Sequence, residues 1–223
     1  MYYSGADTVA VTVLAIYFVV LGVLLLGWIA SFVFRGIGMY KIGKTQGRTN
    51  SWLAFIPFAR TYFHGELSGD IPLKKRRIKS PGIWLLVTPI IYGVIFAVLY
   101  FFLIISVVIS AISSVSYERD YVLNSEMAGL FVVLIVFFIF VIIVSLLYAA
   151  IKGGLEILVN RQIYERYTTL NMATLHAVLG MILPLYTSIC MFIFGRRAEQ
   201  IMEENMAQSQ TISEEQEDRK SVV

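Results

Sequence analysis

Apolar and polar positions along this chain are gathered into long blocks rather than interleaved. Apolar runs cover 9–34, 83–114 and 127–151, and none of the three contains Asp, Glu, Lys, Arg or His. A helix crosses the hydrocarbon of a bilayer in about 20 residues, at about 1.5 Å per residue. Each run therefore predicts one spanning helix, and its surplus length predicts tilt or extension into the headgroups, not a second crossing. The first run does not read as a secretory signal. It lacks a basic stretch ahead of it, carries Asp7 there instead, and is longer than a signal core.

Two other apolar segments are mixed in character. In Ser51-Trp52-Leu53-Ala54-Phe55-Ile56-Pro57-Phe58, continuing to Leu67, the residues Trp52, Phe55, Ile56, Ala59 and Phe63 recur at helical spacing. Arg60, His64 and Glu66 are left for a wetter face, and Pro57 interrupts the pattern. Residues 51–67 thus predict a kinked amphipathic helix lying in the membrane interface. Segment 171–194 is long enough for a fourth crossing, which would carry Arg196 and Arg197 to the far side. A re-entrant hairpin bent at Gly180 and Pro184 keeps those arginines on the side of entry, and the charge pattern favours it. Met39-Tyr40-Lys41 leading to Ile56-Pro57-Phe58 loosely echoes Ile163-Tyr164-Glu165 leading to Leu183-Pro184-Leu185, an arrangement also expected of a parallel internal repeat.

After the third run, Leu155, Val159, Ile163 and Tyr167 recur every fourth residue, so the helix is expected to continue, with Gly153-Gly154 as a flexible break. From Glu199 the chain turns polar and acidic. The fold class is an all-α integral membrane helical bundle. It comprises one membrane domain over 1–198, with three spans, an interfacial segment and a fourth apolar segment that is re-entrant or spanning, and a 199–223 tail expected to be partly disordered.

Composition supports this reading: 58% of the 223 residues are hydrophobic and 15% charged, against about 45–50% apolar in soluble domains. The net charge of +3 matters less than its placement. Ten of the 18 basic residues fall between the first two runs, whereas the connection at 115–126 holds Arg119 against Glu118, Asp120 and Glu126. Positive-inside bias then puts 35–82 in the cytoplasm and the amino terminus outside the cell membrane. The cluster Lys74, Lys75, Arg76, Arg77 and Lys79 is first a topology signal, and it is also a candidate contact for anionic lipid headgroups.

Candidate chemistry is sparse. His64, Glu66 and Asp70 lie near Gly65 and Gly69, but ligands two positions apart on a helix diverge, and a metal wants three or four that converge. His176 sits in an apolar segment, where an ionisable side chain is a functional candidate by default. Bonding to a neighbour explains it more simply. The spans carry no ionisable side chain, which weighs against coupled transport; Ser106, Ser110, Ser113 and Ser114 suit either a pore face or helix-to-helix hydrogen bonds. Phosphate loops, nucleophile elbows and metalloprotease pairs are missing, so no enzyme, cofactor or nucleic-acid partner is expected. The lone Cys190 excludes an internal disulfide and reads as a small buried hydrophobe.

Trp52, Ala54, Pro57, Gly65 and Asp70, with Tyr164, Tyr167, Asn171, Ala173, Thr174 and Leu175, resemble a recurring pattern in small multipass bacterial membrane proteins of uncharacterised function. The resemblance implies that the Trp-x-Ala-x-x-Pro segment is a shared structural element, and it implies no activity. The functional expectation is a non-enzymatic accessory or partner-binding subunit, packing against another membrane protein or a second copy, with Trp52, Phe55, Pro57, Phe63 and Pro184 as candidate contacts. The alternative is a small oligomeric channel or uncoupled transporter.

Overall fold

The computed structural model describes residues 5–73, 76–116 and 122–221, with side chains except those of 5–7, 113–128 and 217–221. Among them are six helices: α1 (Gly5–Thr45), α2 (Pro57–Ser68), α3 (Pro81–Ser116), α4 (Val122–Tyr164), α5 (Leu170–Ile182) and α6 (Pro184–Ser221). A 3-10 turn at Ser51–Phe55 precedes α2, and a two-stranded hairpin of β1 (Ile71–Pro72) and β2 (Arg77–Ile78) precedes α3. The helical bundle expected from the sequence is present. Three helices, α1, α3 and α4, are long and apolar enough to cross a membrane, which supports a membrane location.

The hydrophobic core is not in those spans. From Val9 to Trp28 the large apolar side chains of α1 are exposed, as are most of α3 and α4 along their apolar runs. In lipid such exposure costs nothing, because the surroundings are as apolar as the side chain. Burial begins where the apolar runs end: Met39 and Ile42 of α1, Phe63 and Leu67 of α2, Leu85 of α3, Val159, Ile163 and Tyr164 of α4, and Met191 and Phe194 of α6 form one cluster. The protein is thus a packed layer at one end of three projecting helices.

Helix directions follow from which residues meet. Tyr92 stacks on Tyr148, and Tyr100 meets Phe137 edge-on, so α3 and α4 are antiparallel. Ser31 bonds Ser188, Phe34 packs on Phe192, and Lys41 pairs with Glu199, so α1 and α6 are parallel. Between them, α5 and α6 fold back on each other: the Thr187 hydroxyl donates to the Gly180 carbonyl at 2.8 Å, and the rings of His176 and Phe194 approach to 6.0 Å. Segment 171–194 is therefore a hairpin, turning at Leu183–Pro184. The 13 residues of α5 reach about 20 Å, short of the hydrocarbon thickness.

Three details differ from the sequence expectation. Helix α4 runs unbroken through Gly153-Gly154; the cost of glycine there is offset because Met181 of α5 fills the space a side chain at Gly153 would need. The acidic tail, expected to be partly disordered, continues α6 as helix to Ser221, since after Gly195 it contains neither Gly nor Pro and is rich in Glu, Gln and Met. Third, His64 does not lie on the wetter face of 51–67 but is 2% exposed, inside the packed layer. The helical phase assumed across Pro57 is broken there: Ile56 is extended (φ −96°, ψ 121°) and Pro57 restarts a helix as its first residue.

Candidate functional site: a basic cavity at the packed end

Arg35 is the first charged residue after the apolar run of α1, and the helix continues past it, so its guanidinium stays at the boundary between the span and the packed layer. Helix α2 lies against α3, closely enough that Gly65 and Gly82 meet backbone to backbone. That contact turns His64 inward. Its Nδ1 faces Arg35 Nη2 at 3.2 Å and its Nε2 faces Asn160 Oδ1 of α4 at 2.8 Å. A guanidinium only donates, so Nδ1 accepts and the ring proton sits on Nε2, donated to Asn160. Burial, reinforced by the Arg35 charge, pushes the His64 pKa well below its usual 6.5. Burial thus favours the neutral ring, and both its nitrogens are hydrogen-bonded, so that His64 links Arg35 of α1 to Asn160 of α4.

Beside this chain of bonds opens a cavity of about 460 Å³, whose charged and polar lining is Arg35, Arg60, His64, Lys152 and Glu156, with Leu86, Pro89 and Ile90 of α3 among its apolar walls. Arg60 lies over the Phe32 ring at 4.3 Å, a cation–π contact that orients the guanidinium without neutralising it. Lys152 pairs with Glu156 at 4.0 Å. Among the described residues, no carboxylate is within ion-pair distance of Arg35 or Arg60. Arg35 Nε is moreover buried with no hydrogen-bond partner. Two like charges, partly withdrawn from water, with a buried donor unused, are costly unless an anion joins them. Guanidinium forks suit carboxylate or phosphate oxygens, two bonds at a time.

The other residues singled out from the sequence are dispersed. Glu66 turns to Arg48 at 3.7 Å, and Asp70 is exposed beyond Gly69. His64, Glu66 and Asp70 therefore do not converge, and among the described residues no three His, Cys, Asp or Glu side chains gather to hold a metal. His176 Nδ1 is hydrogen-bonded to the Tyr186 hydroxyl, tying α5 to α6. Phe63 is in the core at 3% exposure, but Trp52 and Phe55 remain 56% and 44% exposed, with Pro57 and Pro184 also at the surface. Cys190 is buried among apolar neighbours. Ser106 donates to the carbonyl of Phe102 in its own helix at 2.9 Å; the side chains of Ser113 and Ser114 lie outside the described residues. Arg77 in β2, with Arg76 before it and Lys79 after it, lines a second groove, while Lys74 and Lys75 fall outside the described residues.

Sequence reasoning missed Arg35, Arg60 and Asn160 as site residues. The two arginines read as topology charges, and Asn160 reads as one of several polar positions beside Glu156, Arg161 and Gln162. One signal was available: Arg35 and Lys152 each directly follow an uncharged run, which fixes both at the same depth. No family model matches the chain, and neither a curated protein nor a solved structure matches it.

Proposed function

We propose that the protein is a non-enzymatic component of the cell membrane that crosses it three times and holds an anionic group between Arg35 and Arg60. The observation that carries this reading is the pair of guanidiniums facing one cavity with, among the described residues, no carboxylate in ion-pair distance of either, Glu156 of the same cavity being paired with Lys152. The neutral, doubly bonded His64 supports a binding rather than a catalytic role, since it positions Arg35 and has no free nitrogen. The positive-inside bias of 35–82 places the cavity on the cytoplasmic side, with the amino terminus outside. An accessory, partner-binding role is supported by the outer half of α1, whose apolar surface is exposed all round. A pore is less well supported, because the Ser106 hydroxyl is spent on its own helix.

Thermal unfolding in neutral detergent tests the anion site, comparing sodium phosphate with sodium chloride at matched ionic strength. The wild-type protein is expected to gain several degrees in Tm from phosphate, and Arg60→Gln to lose that gain while Arg60→Lys keeps part of it. A phosphate response absent from the wild type, or equal in wild type and Arg60→Gln, overturns the reading.

A further inference from the structure

The opposite side of α3 carries a second and larger hollow. The seam between α3 and α4 is closed toward the start of α3 by the Tyr92–Tyr148 stack at 4.1 Å and by the Tyr92 hydroxyl, 3.1 Å from Ser145 Oγ. Beside that seam runs a groove of about 850 Å³ with hydrocarbon walls, including Trp84, Ile91 and Ile95 of α3 and Leu147 and Ile151 of α4. One end is different: Arg76, Arg77 and Lys79 line it, and among the described residues no acidic side chain lines any part of the groove. The β-hairpin explains their placement. Pairing of Ile71 with Ile78 and of Pro72 with Arg77 lets Ile78 pack against the core and leaves Arg77 exposed. Helix α3 starts at Pro81 and its uncharged run at Ile83, so with α3 spanning the bilayer as proposed the basic end sits at headgroup depth and the hydrocarbon walls at acyl depth.

From this match of charge and depth we infer that the α3/α4 groove is a binding site for an anionic phospholipid, its phosphate held by Arg76, Arg77 and Lys79 and one acyl chain laid along Trp84, Ile91 and Leu147. A zwitterionic lipid offers the same chain but balances its phosphate with its own cation, so the basic end discriminates between the two. A soluble phosphate meets the basic end but gains nothing from the apolar walls. The site is separate from the Arg35–Arg60 cavity, which lies against Leu86, Pro89 and Ile90 on the other face of α3, so the two proposals stand or fall apart.

Trp84 reports directly on the groove. In full-length protein with Trp28→Phe and Trp52→Phe, Trp84 emission is titrated in mixed micelles with phosphatidylglycerol or phosphatidylcholine carrying dibrominated acyl chains. Phosphatidylglycerol is expected to quench at a concentration lower by on the order of tenfold. Arg76→Gln/Arg77→Gln/Lys79→Gln should bring the two lipids together, and Arg60→Gln should leave the preference intact. Ile91→Phe, which narrows the groove without changing charge, should weaken quenching by both lipids. Equal quenching by the two lipids in the protein bearing all its basic residues overturns the inference, as does a preference that survives the triple substitution. Complete relief of quenching by inorganic phosphate at matched ionic strength would also overturn it, by showing a soluble-anion site instead.

Discussion

At the scale of single residues, His64 shows how surroundings set chemistry. Its folded pKa lies below the unfolded value near 6.5, so between the two values the unfolded chain binds the extra proton. Stability from this group is therefore fully present above about pH 6.5 and is lost as pH falls through that window toward the folded pKa, with a slope of at most about 1.4 kcal/mol per pH unit for one proton. Denaturation in detergent from pH 7.5 downward is expected to show this loss. His64→Gln, which keeps a neutral hydrogen-bonding side chain, should flatten the profile while lowering stability at neutral pH. An unchanged pH profile in that variant would mean that His64 is not buried neutral between Arg35 and Asn160. The sequence offered His64 as a wetter-face residue and as a ligand candidate with Glu66 and Asp70, and its burial between Arg35 and Asn160 was not legible there.

Elements meet through glycines at two crossings. Gly38 of α1 faces the backbone of Met191 in α6, and Gly195 of α6 faces Gly38 in return; Gly65 of α2 and Gly82 of α3 form the second pair. A side chain at any of these positions would strike backbone, which cannot step aside as a flexible side chain can. Gly38→Ala and Gly65→Ala are each expected to cost about 1–3 kcal/mol by overpacking, measurable as a lowered unfolding midpoint in detergent. Gly22→Ala on the lipid-exposed part of α1, where nothing lies within 4 Å, should cost nothing measurable and serves as the control. The same scale accounts for the altered face of 51–67. The spacing of Trp52, Phe55 and Phe63 anticipated helical structure on both sides of Pro57. It did not anticipate that an extended Ile56 would reset the phase, so that Phe63 and His64 turn inward together while Trp52 and Phe55 stay exposed.

For the whole molecule, the α5/α6 hairpin has a consequence for topology. Because α6 returns parallel to α1, Arg196, Arg197 and the helical tail emerge at the same end as Lys41 and Lys44. An epitope placed after Val223 should therefore share its side with a cysteine at Thr45. In intact cells carrying Cys190→Ser, both Thr45→Cys labelling by an impermeant reagent and external proteolysis of the epitope should require lysis. Access to both without lysis would invert the proposed orientation, and access to the epitope alone would rule out the same-end hairpin.

The three long apolar helices followed from the sequence alone, because the preference of a segment for lipid depends on one residue after another and needs no knowledge of neighbours in space. The hairpin turning at Pro184 was favoured by Arg196 and Arg197 rather than by the proline, since Pro89 stands inside the unbroken α3. Only the tertiary structure brought Arg35 of α1 to His64 of α2 and Asn160 of α4. Three helices, the last of them 96 residues from His64 at Asn160, had to pack before those side chains met. Their juxtaposition, with the charge it leaves uncompensated, is a property of helix crossings set by glycine contacts rather than of any local pattern.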